Sequence, residues 1–340
     1  MLKYIVRRSM MILPTLLGIS ILSFAIINLA PGSPVEQKIM AMRFGGGMEG
    51  SNGHGSEMGV SAEVVEALKK QYGFDKPIHI RYLIWLKNIV YLDFGDSFRF
   101  EEPVTSVIAS KLPVSLQFGV VSLILTYLIC IPLGLFKAVH DGSKFDMVSS
   151  FSLILAYSIP PLILAVLLRV YFAGGRFLDW FPIGDLYSDS YQDLSFWGKI
   201  EDRIHHFVLP LICYVIGNFT VLTFLMKNSL LEEIKLDYIR TARAKGLPER
   251  LVIYKHALRN ALIPIATGLA SFLSFFFAGS VIIEQVFNLD GMGQLSYQSA
   301  LDRDYNVLMG LIFFQSLMML VGRFLSDLSY TLIDPRIDFS

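Results

Sequence analysis

The side chains best suited to act on another molecule are concentrated in one segment, Lys227–Asn260, which reads KNSLLEEIKLDYIRTARAKGLPERLVIYKHALRN. Gly246 can supply the left-handed residue that ends a first helix, and Pro248 can open a second helix at its first turn. The pattern predicts a rigid helical hairpin, with Tyr238 and Ala242 on one side of the first helix. Such a hairpin suits docking to a partner protein. A basic loop that serves only membrane topology is the alternative.

Catalytic motifs are absent elsewhere. The sequence has no G-x-x-x-x-G-K-S/T phosphate-binding loop, no H-E-x-x-H zinc motif and no G-x-S-x-G motif in an apolar segment. Serines and threonines occur in the apolar segments without a His or Asp partner, and serines there usually pack helices. The sequence therefore predicts no catalytic residue and no metal site, which disfavours an intramembrane enzyme. Residues that bind a substrate cannot be assigned from these patterns.

Composition indicates a membrane protein. Hydrophobic residues make up 54% of the chain, charged residues 17%, and the mean hydropathy is +0.54, whereas soluble domains carry about 25% charged residues. A soluble chain this apolar would expose large patches and aggregate, so membrane lipid is the expected surrounding. The formal net charge is zero, and nothing points to nucleic acid as a partner.

Six apolar windows are long enough to cross a bilayer, which needs about 20 helical residues. The first window exceeds the length of a cleavable signal sequence and is predicted to be a retained helix.

The orientation follows from the positive charges of the loops. With the amino terminus inside, the inner loops hold 14 Lys and Arg against 4 in the short outer loops, so both termini are predicted to be cytoplasmic. The windows are Met10–Val35, Leu112–Phe136, Met147–Leu168, Phe207–Met226, Ala261–Ile283 and Tyr305–Gly322.

These windows contain no Asp, Glu, Lys or Arg. Arg169, Glu284 and Arg323 lie near helix ends, where side chains can snorkel to the membrane surface. A proton-coupled peptide transporter that acts alone would need buried carboxylates near mid-bilayer. The sequence shows none there, and this class is therefore disfavoured.

The long segment after the first window divides into two parts. Residues 43–61 are rich in Gly and Ser and are predicted to form a flexible loop whose role is open. Pro77–Tyr91 is predicted to form an amphipathic helix, in which Tyr82, Trp85 and Tyr91 suit the membrane–water interface. A small soluble cap is the alternative interpretation.

The run DYIRTARAKG from Asp237 to Gly246, followed by HALRNALIP, resembles the coupling loop of binding-protein-dependent ABC importers, and among these the oligopeptide/dipeptide permease family. The general pattern is Glu-Ala-Ala, then Gly three residues on, then a later Leu-Pro. Thr241-Ala242-Arg243, Gly246 and Ile263-Pro264 occupy those positions here. The missing initial Glu and the longer Gly-to-Pro spacing resemble the peptide subfamily.

The resemblance extends over nearly the whole chain. The Gly-rich insert near 45–60 and the ending IDPRIDF resemble Yej-type permeases more closely still, a group associated with import of oligopeptides and the peptide–nucleotide antibiotic microcin C. The other matching motifs are Leu29-Ala30-Pro31-Gly32-Ser33-Pro34, Tyr72-Gly73-Phe74-Asp75-Lys76-Pro77, Asp93-Phe94-Gly95-Asp96-Ser97, Glu284-Gln285-Val286-Phe287, Gly291-Met292-Gly293, Arg303-Asp304-Tyr305 and Asp334-Pro335-Arg336.

This resemblance implies an all-α membrane protein of the bacterial inner membrane, with six transmembrane helices and the type I ABC importer permease fold. It implies three partners: a second homologous permease subunit, ABC ATPase subunits and a periplasmic peptide-binding protein. ATP and Mg would be bound by the ATPase subunits, so this chain would bind no cofactor and would not itself be an enzyme. The residues implied to couple it to the ATPase are Asp237, Tyr238, Arg240, Thr241, Ala242, Arg243, Ala244, Lys245 and Gly246.

The chain is predicted to divide into residues 1–110, with the first helix and the long external segment, residues 111–330, with five helices and the coupling loop at 228–260, and a cytoplasmic tail at 331–340. Oligopeptides, including microcin C-like antibiotics, are the implied substrates. Within the same family, permeases for dipeptides, nickel or glutathione remain alternatives.

Overall fold

The protein is described by a computed structural model that covers residues 2–29, 66, 76–175, 177–266 and 279–333. These residues are helical, with no strand and only two isolated β-bridges among them, so the predicted all-α class is confirmed over this part of the chain. The α-helices are α1 (Leu2–Leu29), α2 (Ile78–Val90), α3 (Val104–Val139), α4 (Lys144–Tyr157), α5 (Pro161–Phe172), α6 (Phe196–Ile234), α7 (Asp237–Ala244), α8 (Glu249–Leu251), α9 (Leu258–Ala261), α10 (Val281–Val286), α11 (Met292–Leu301) and α12 (Tyr305–Ile333). A π-helical segment, Val252–Ala257, joins α8 to α9.

Some predicted features lie outside the described residues. They are the Gly-rich segment 43–61, residues 267–278 of the fifth apolar window, and the tail that begins at residue 334.

Three of the described helices are long and apolar enough to cross a membrane: α3, α6 and the Tyr305–Phe324 part of α12. They correspond to the second, fourth and sixth predicted windows. The first window supplies a shorter apolar helical stretch, Met10–Ile26, within α1. The chain is therefore a multi-pass membrane protein.

The third window does not form one straight helix. It forms α4 and α5, which meet at an angle of 93°. Pro160 and Pro161 explain the break, because a residue that precedes proline is driven out of the α conformation. Pro160 has an extended backbone, with φ −56° and ψ 139°, and Pro161 then occupies the first turn of α5. Counted as one bent span, the pair makes a fourth apolar span among the described residues.

The chain forms two compact units. Unit 1 comprises Met1–Met10, Lys111–Leu295 and Leu317–Ser340, and unit 2 comprises Met11–Ser110 and Ser296–Ser316. Unit 1 contains the segment that was predicted to form a coupling hairpin.

In unit 2, α2 packs on α1 through aromatic side chains. The rings of Tyr82 and Trp85 lie 5.3 and 5.6 Å from that of Phe24, and the Tyr82 hydroxyl is 2.9 Å from Ser20 Oγ. Tyr82 and Trp85 therefore pack against the protein, whereas Tyr91, the third aromatic residue predicted for the membrane–water interface, is 76% exposed. The exposed side of α2 is aliphatic instead, and it includes Leu83 and Val90.

Candidate functional site

The helix predicted to dock on a partner, α7, has one buried side and a much larger exposed side. Ile239 is 0% exposed and Ala242 is 7% exposed. A spacing of three residues places these two side chains on the same face of a helix. Burial of that face holds α7 to the rest of unit 1.

The buried face of α7 belongs to an apolar core that also includes residues of α3, α6, α9 and the π-helical segment. Met226 and Leu230 come from α6, and Leu135 comes from α3. The π-helical segment adds Val252 and Ile253, both buried. This core connects α7 with the ends of the two long helices α3 and α6.

A left-handed turn closes α7, as the sequence predicted. Gly246 has φ 78°. Its N–H donates to the Arg243 carbonyl at 2.9 Å, and the N–H of Leu247 donates to the Ala242 carbonyl at 3.4 Å. These two bonds make a Schellman motif, which satisfies the last carbonyls of a helix. A Cβ atom at Gly246 would meet nothing within 4 Å, so backbone conformation alone requires glycine here.

An ion pair spans the turn. Arg243 donates to the Glu249 carboxylate through Nε at 3.1 Å and Nη2 at 2.6 Å, which is the two-point geometry that favours arginine. This contact raises the pKa of Arg243 and lowers the pKa of Glu249. Pro248 precedes α8 as its N-cap residue, one position before the first turn where the sequence placed it.

Tyr238 ties α7 to the helices on either side of it. Its hydroxyl donates to the Glu233 carboxylate and accepts from Asn260 Nδ2 at 3.0 Å. Burial, and then the bond to Glu233, raises the pKa of Tyr238 to about 12. The hydroxyl is therefore protonated at neutral pH and available as a donor.

The structure brings all nine predicted coupling residues together on α7 and its closing turn. Ala242 faces the core, and the other eight are exposed, which leaves them accessible to a partner. Arg240 pairs with Asp237 at 3.4 Å, and the Thr241 hydroxyl donates to the Asp237 carbonyl at 2.9 Å. The exposed surface combines basic groups with the apolar side chains of Leu247 and Leu251.

Sequence reasoning missed a buried ionic cluster near this site. Lys137 is 0% exposed, and its Nζ lies 3.2 Å from Asp146 Oδ1. Lys227 Nζ lies 2.7 Å from Asp146 Oδ2 and 2.8 Å from Asp141 Oδ1. The count of positive charges in the inner loops includes Lys137 and Lys227 but gives no sign of their contacts. The cluster joins residues far apart in sequence, so no local pattern could reveal it.

A second missed feature is the carboxylate of Glu284, and here the prediction of snorkelling was wrong. Glu284 is 0% exposed. Its Oε1 accepts from the hydroxyls of Ser115 and Tyr214 at 2.8 and 3.2 Å and from the N–H of Ser280 at 3.1 Å. Its Oε2 accepts from the N–H of Gln294 at 2.9 Å. The four donors compensate the burial of the carboxylate.

Glycines make this close packing around Glu284 feasible. A Cβ atom at Gly291 would lie 2.6 Å from Glu284 Oε2, and one at Gly293 would lie 3.0 Å from the same oxygen. These residues belong to the motifs Glu284-Gln285-Val286-Phe287 and Gly291-Met292-Gly293, which the sequence showed as separate matches. The structure joins them in one buried site.

Known proteins resemble the chain along its whole length. Residues 130–339 match the sequence profile of the family described as "Binding-protein-dependent transport system inner membrane component". The chain is 45% identical to the "Peptidoglycan transport system permease protein YejB" of Agrobacterium fabrum, an alignment that covers 99% of this chain and 98% of the relative. It is 42% identical to the "Inner membrane ABC transporter permease protein YejB" of Escherichia coli O157:H7, with the same coverage.

A third relative is the "Oligopeptide transport system permease protein AppB" of Bacillus subtilis, which is 36% identical over the full length of both chains. The resemblance to Yej-type permeases that the sequence motifs indicated is confirmed. The chain belongs to the family of binding-protein-dependent transport system inner membrane components.

Proposed function

We propose that this chain is a membrane-spanning permease subunit of an ATP-driven importer that carries peptides across the bacterial inner membrane. The names of its relatives support this proposal, because they include permease proteins of peptidoglycan and oligopeptide transport systems. Six transmembrane helices with both termini in the cytoplasm would place α7 inside the cell. A second homologous permease would complete the pathway, and a periplasmic binding protein would deliver the peptide.

The burial of α7 on one side only carries the proposal. Ile239 and Ala242 anchor the helix in the core, while Arg240, Lys245 and their neighbours stay exposed. A helix fixed on one side and accessible on the other can receive a push from a docked protein. We assign that role to an ABC ATPase subunit, which would bind ATP and Mg. On this proposal the permease itself holds no cofactor and hydrolyses no ATP.

The peptide substrates follow from the Yej-type resemblance and divide into two candidates. Oligopeptides, including microcin C-like antibiotics, are the first. Peptides derived from peptidoglycan are the second, because the Agrobacterium fabrum relative is named for peptidoglycan transport. Measuring the uptake of labelled tri-alanine in the presence of excess unlabelled muropeptide distinguishes these two candidate substrates. Strong inhibition would favour the second candidate, and unchanged uptake would favour the first. Dipeptides, nickel and glutathione serve as further competitors.

The substitution Gly246→Ala tests the role of α7. Alanine has room at this position, so its effect is the strain of a left-handed backbone, about 1–2 kcal/mol. One kcal/mol changes an equilibrium about fivefold, which is enough to alter the orientation of α7 at a docking surface. We expect the variant to insert normally and to join the second permease. We also expect ATPase activity to lose its response to the loaded binding protein, and peptide uptake to fall.

Gly175→Ala is the matched control. Gly175 has φ 69°, and a Cβ atom there would approach nothing closer than 3.8 Å. It carries the same kind of backbone strain on a loop remote in sequence from α7. Both variants are compared with the wild type in reconstituted vesicles that contain all subunits. Full ATPase stimulation and uptake by Gly246→Ala would contradict the proposed role of α7.

A further inference from the structure

We infer that Asp146 is a positioning residue for transport, because it fastens the ends of α3, α4 and α6 together so that they follow α7 as one body. This inference rests on the proposed function and names the residues that would pass movement from the coupling helix to the membrane-spanning helices.

The two carboxylate oxygens of Asp146 face two different helices. Oδ1 lies 3.2 Å from Lys137 Nζ on α3, and Oδ2 lies 2.7 Å from Lys227 Nζ on α6. Asp146 itself is in the first turn of α4, where its Oδ2 also accepts from the N–H of Gly142 at 3.2 Å. One side chain thus links three helices.

Because these groups are buried, losing one of the contacts would be energetically costly. Asp146 is 5% exposed, and Lys137 is fully buried. Lys137 Nζ also donates to the hydroxyls of Ser149 and Ser150, both at 2.7 Å, and to the Asp146 carbonyl at 3.0 Å. Removing one partner from a buried ionic cluster leaves an uncompensated charge, and this is strongly unfavourable. The three helices therefore keep their relative positions while the cluster is intact.

The ionic cluster and the core beneath α7 use adjacent residues of the same helices. Met226 and Leu230, on either side of Lys227, contact the core that holds Ile239. Leu135 and Ala138 flank Lys137 in the same way. Movement of α7 through this core therefore reaches α3 and α6 at the turns that Asp146 connects. Asp146 extends this connection to α4, because α4 itself contributes no buried residue to that core.

A purely stabilising role for Asp146 makes a different prediction from a positioning role. Loss of stability would reduce the amount of assembled transporter, and ATPase activity and uptake would fall in proportion. Loss of transmission would leave ATP hydrolysis in the assembled transporter but reduce the peptide moved for each ATP consumed. The ratio of uptake to ATP hydrolysis therefore distinguishes the two roles.

The test compares Asp146→Asn with Asp141→Asn in the complete transporter, reconstituted in vesicles with labelled tri-alanine as the probe. Asp141 is the matched control because it contacts the same lysine at 2.8 Å, yet its side chain is 53% exposed. We expect Asp146→Asn to lower uptake per ATP about fivefold, the change in an equilibrium that follows from about 1 kcal/mol. Asp141→Asn should stay close to the wild-type ratio. An unchanged ratio in Asp146→Asn would overturn the inference.

A distance measurement covers the case in which Asp146→Asn assembles poorly. Spin labels at Val148→Cys on α4 and Lys235→Cys after α6 occupy exposed positions. In the wild-type background their separation should stay constant between nucleotide-free and ATP-bound transporter. In Lys227→Gln, which removes one lysine and retains the Lys137 contact, it should change between these states. A separation that varies in the wild type would refute movement as one body.

The proposed function can fail separately from this inference. Wild-type vesicles that show no ATPase response to any loaded binding protein would remove the proposed function, and the inference with it. A responsive wild type with an unaltered Asp146→Asn ratio would remove the inference alone.

Discussion

Gly134 of α3 lies directly against Met226 of α6: a Cβ atom on Gly134 would be 2.6 Å from Met226 Cβ and 2.7 Å from the Thr223 carbonyl oxygen. The second of these atoms belongs to the backbone, so a side-chain rotation cannot relieve the overlap. The two helices approach closely at this point because glycine has no side chain. The contact lies one turn before Lys137, at the same end of α3.

Gly134→Ala should therefore push α3 and α6 apart. Overpacking of a tight contact typically costs about 1–3 kcal/mol, and we expect a lower thermal unfolding temperature in detergent. Gly217→Ala is the control, because it lies on α6 and a Cβ atom there would meet nothing within 4 Å. Alanine forms helix better than glycine, so this control should be neutral or slightly stabilising. Equal unfolding temperatures for the two variants would contradict the close contact.

Asp304→Asn should destabilise unit 2. Asp304 is 1% exposed and precedes α12, where its Oδ1 accepts from the N–H of Val307 at 3.3 Å. Its Oδ2 accepts from the Ser97 hydroxyl and from the N–H of Phe98 at 2.9 Å. An amide replaces one acceptor oxygen by a donor, which leaves a buried N–H unpaired at a cost of about 1–3 kcal/mol. Thermal unfolding of the purified chain measures the effect.

The control for this substitution is Asp302→Asn. Asp302 also forms an ion pair, with Arg99, but both side chains are more than 40% exposed. Exposed pairs contribute about 0.2–1 kcal/mol, so this variant should unfold close to the wild-type temperature. A larger loss in Asp302→Asn than in Asp304→Asn would show that burial is not the deciding factor.

Glu284→Gln should disturb the segment from Ser280 to Gln294 without affecting α7. The carboxylate accepts four hydrogen bonds, and an amide cannot accept all of them. Gly291 leaves no space for a compensating shift. We expect faster proteolysis of this segment in Glu284→Gln, and wild-type behaviour in Glu201→Gln, because Glu201 is exposed on α6. Unchanged proteolysis in Glu284→Gln would mean that the buried network does not hold the segment.

The six-span topology is tested by reporter fusions. The excess of Lys and Arg in the inner loops predicts cytoplasmic signals from fusions after Phe145 and Asp237. Fusions after Asp189 and Asp290 should report the opposite side. The bend between α4 and α5 makes Asp189 the informative position, because a segment that re-enters the same side would place it in the cytoplasm. Inverted signals at two of these sites would be incompatible with six spans.

The sequence predicted the local features of the candidate site well. The helical hairpin and the left-handed Gly246 follow from residue types within ten positions of each other, and the structure contains both. The buried sites could not be predicted in this way. Asp146 meets Lys227 across 81 positions, and Glu284 meets Ser115 across 169. Their pairing depends on how the helices pack, which periodicity along one helix does not report.

Local patterns also misjudged the environment of Glu284, and they did not show what the aromatic rings of α2 contact. Glu284 stands next to an apolar run, and this position alone is equally compatible with solvent and with a buried network. Trp85 and Tyr82 have the amphipathic character of interface residues, yet the core around Phe24 takes up both rings. The 93° angle between α4 and α5 could not be predicted from Pro160 and Pro161 alone, because the angle depends on the contacts that each half-helix makes.

The two buried polar contacts that α3 makes lie a defined distance apart along this helix. Ser115, which donates to Glu284, and Lys137, which binds Asp146, are 22 residues apart on this helix. That separation corresponds to about 33 Å of α-helix, close to the hydrocarbon thickness of a typical bilayer, about 30 Å. A bilayer of that thickness accommodates the apolar stretch between the two sites. In thicker membranes hydrophobic mismatch would favour deformation of the surrounding lipid over tilting of a helix that is fixed at both ends.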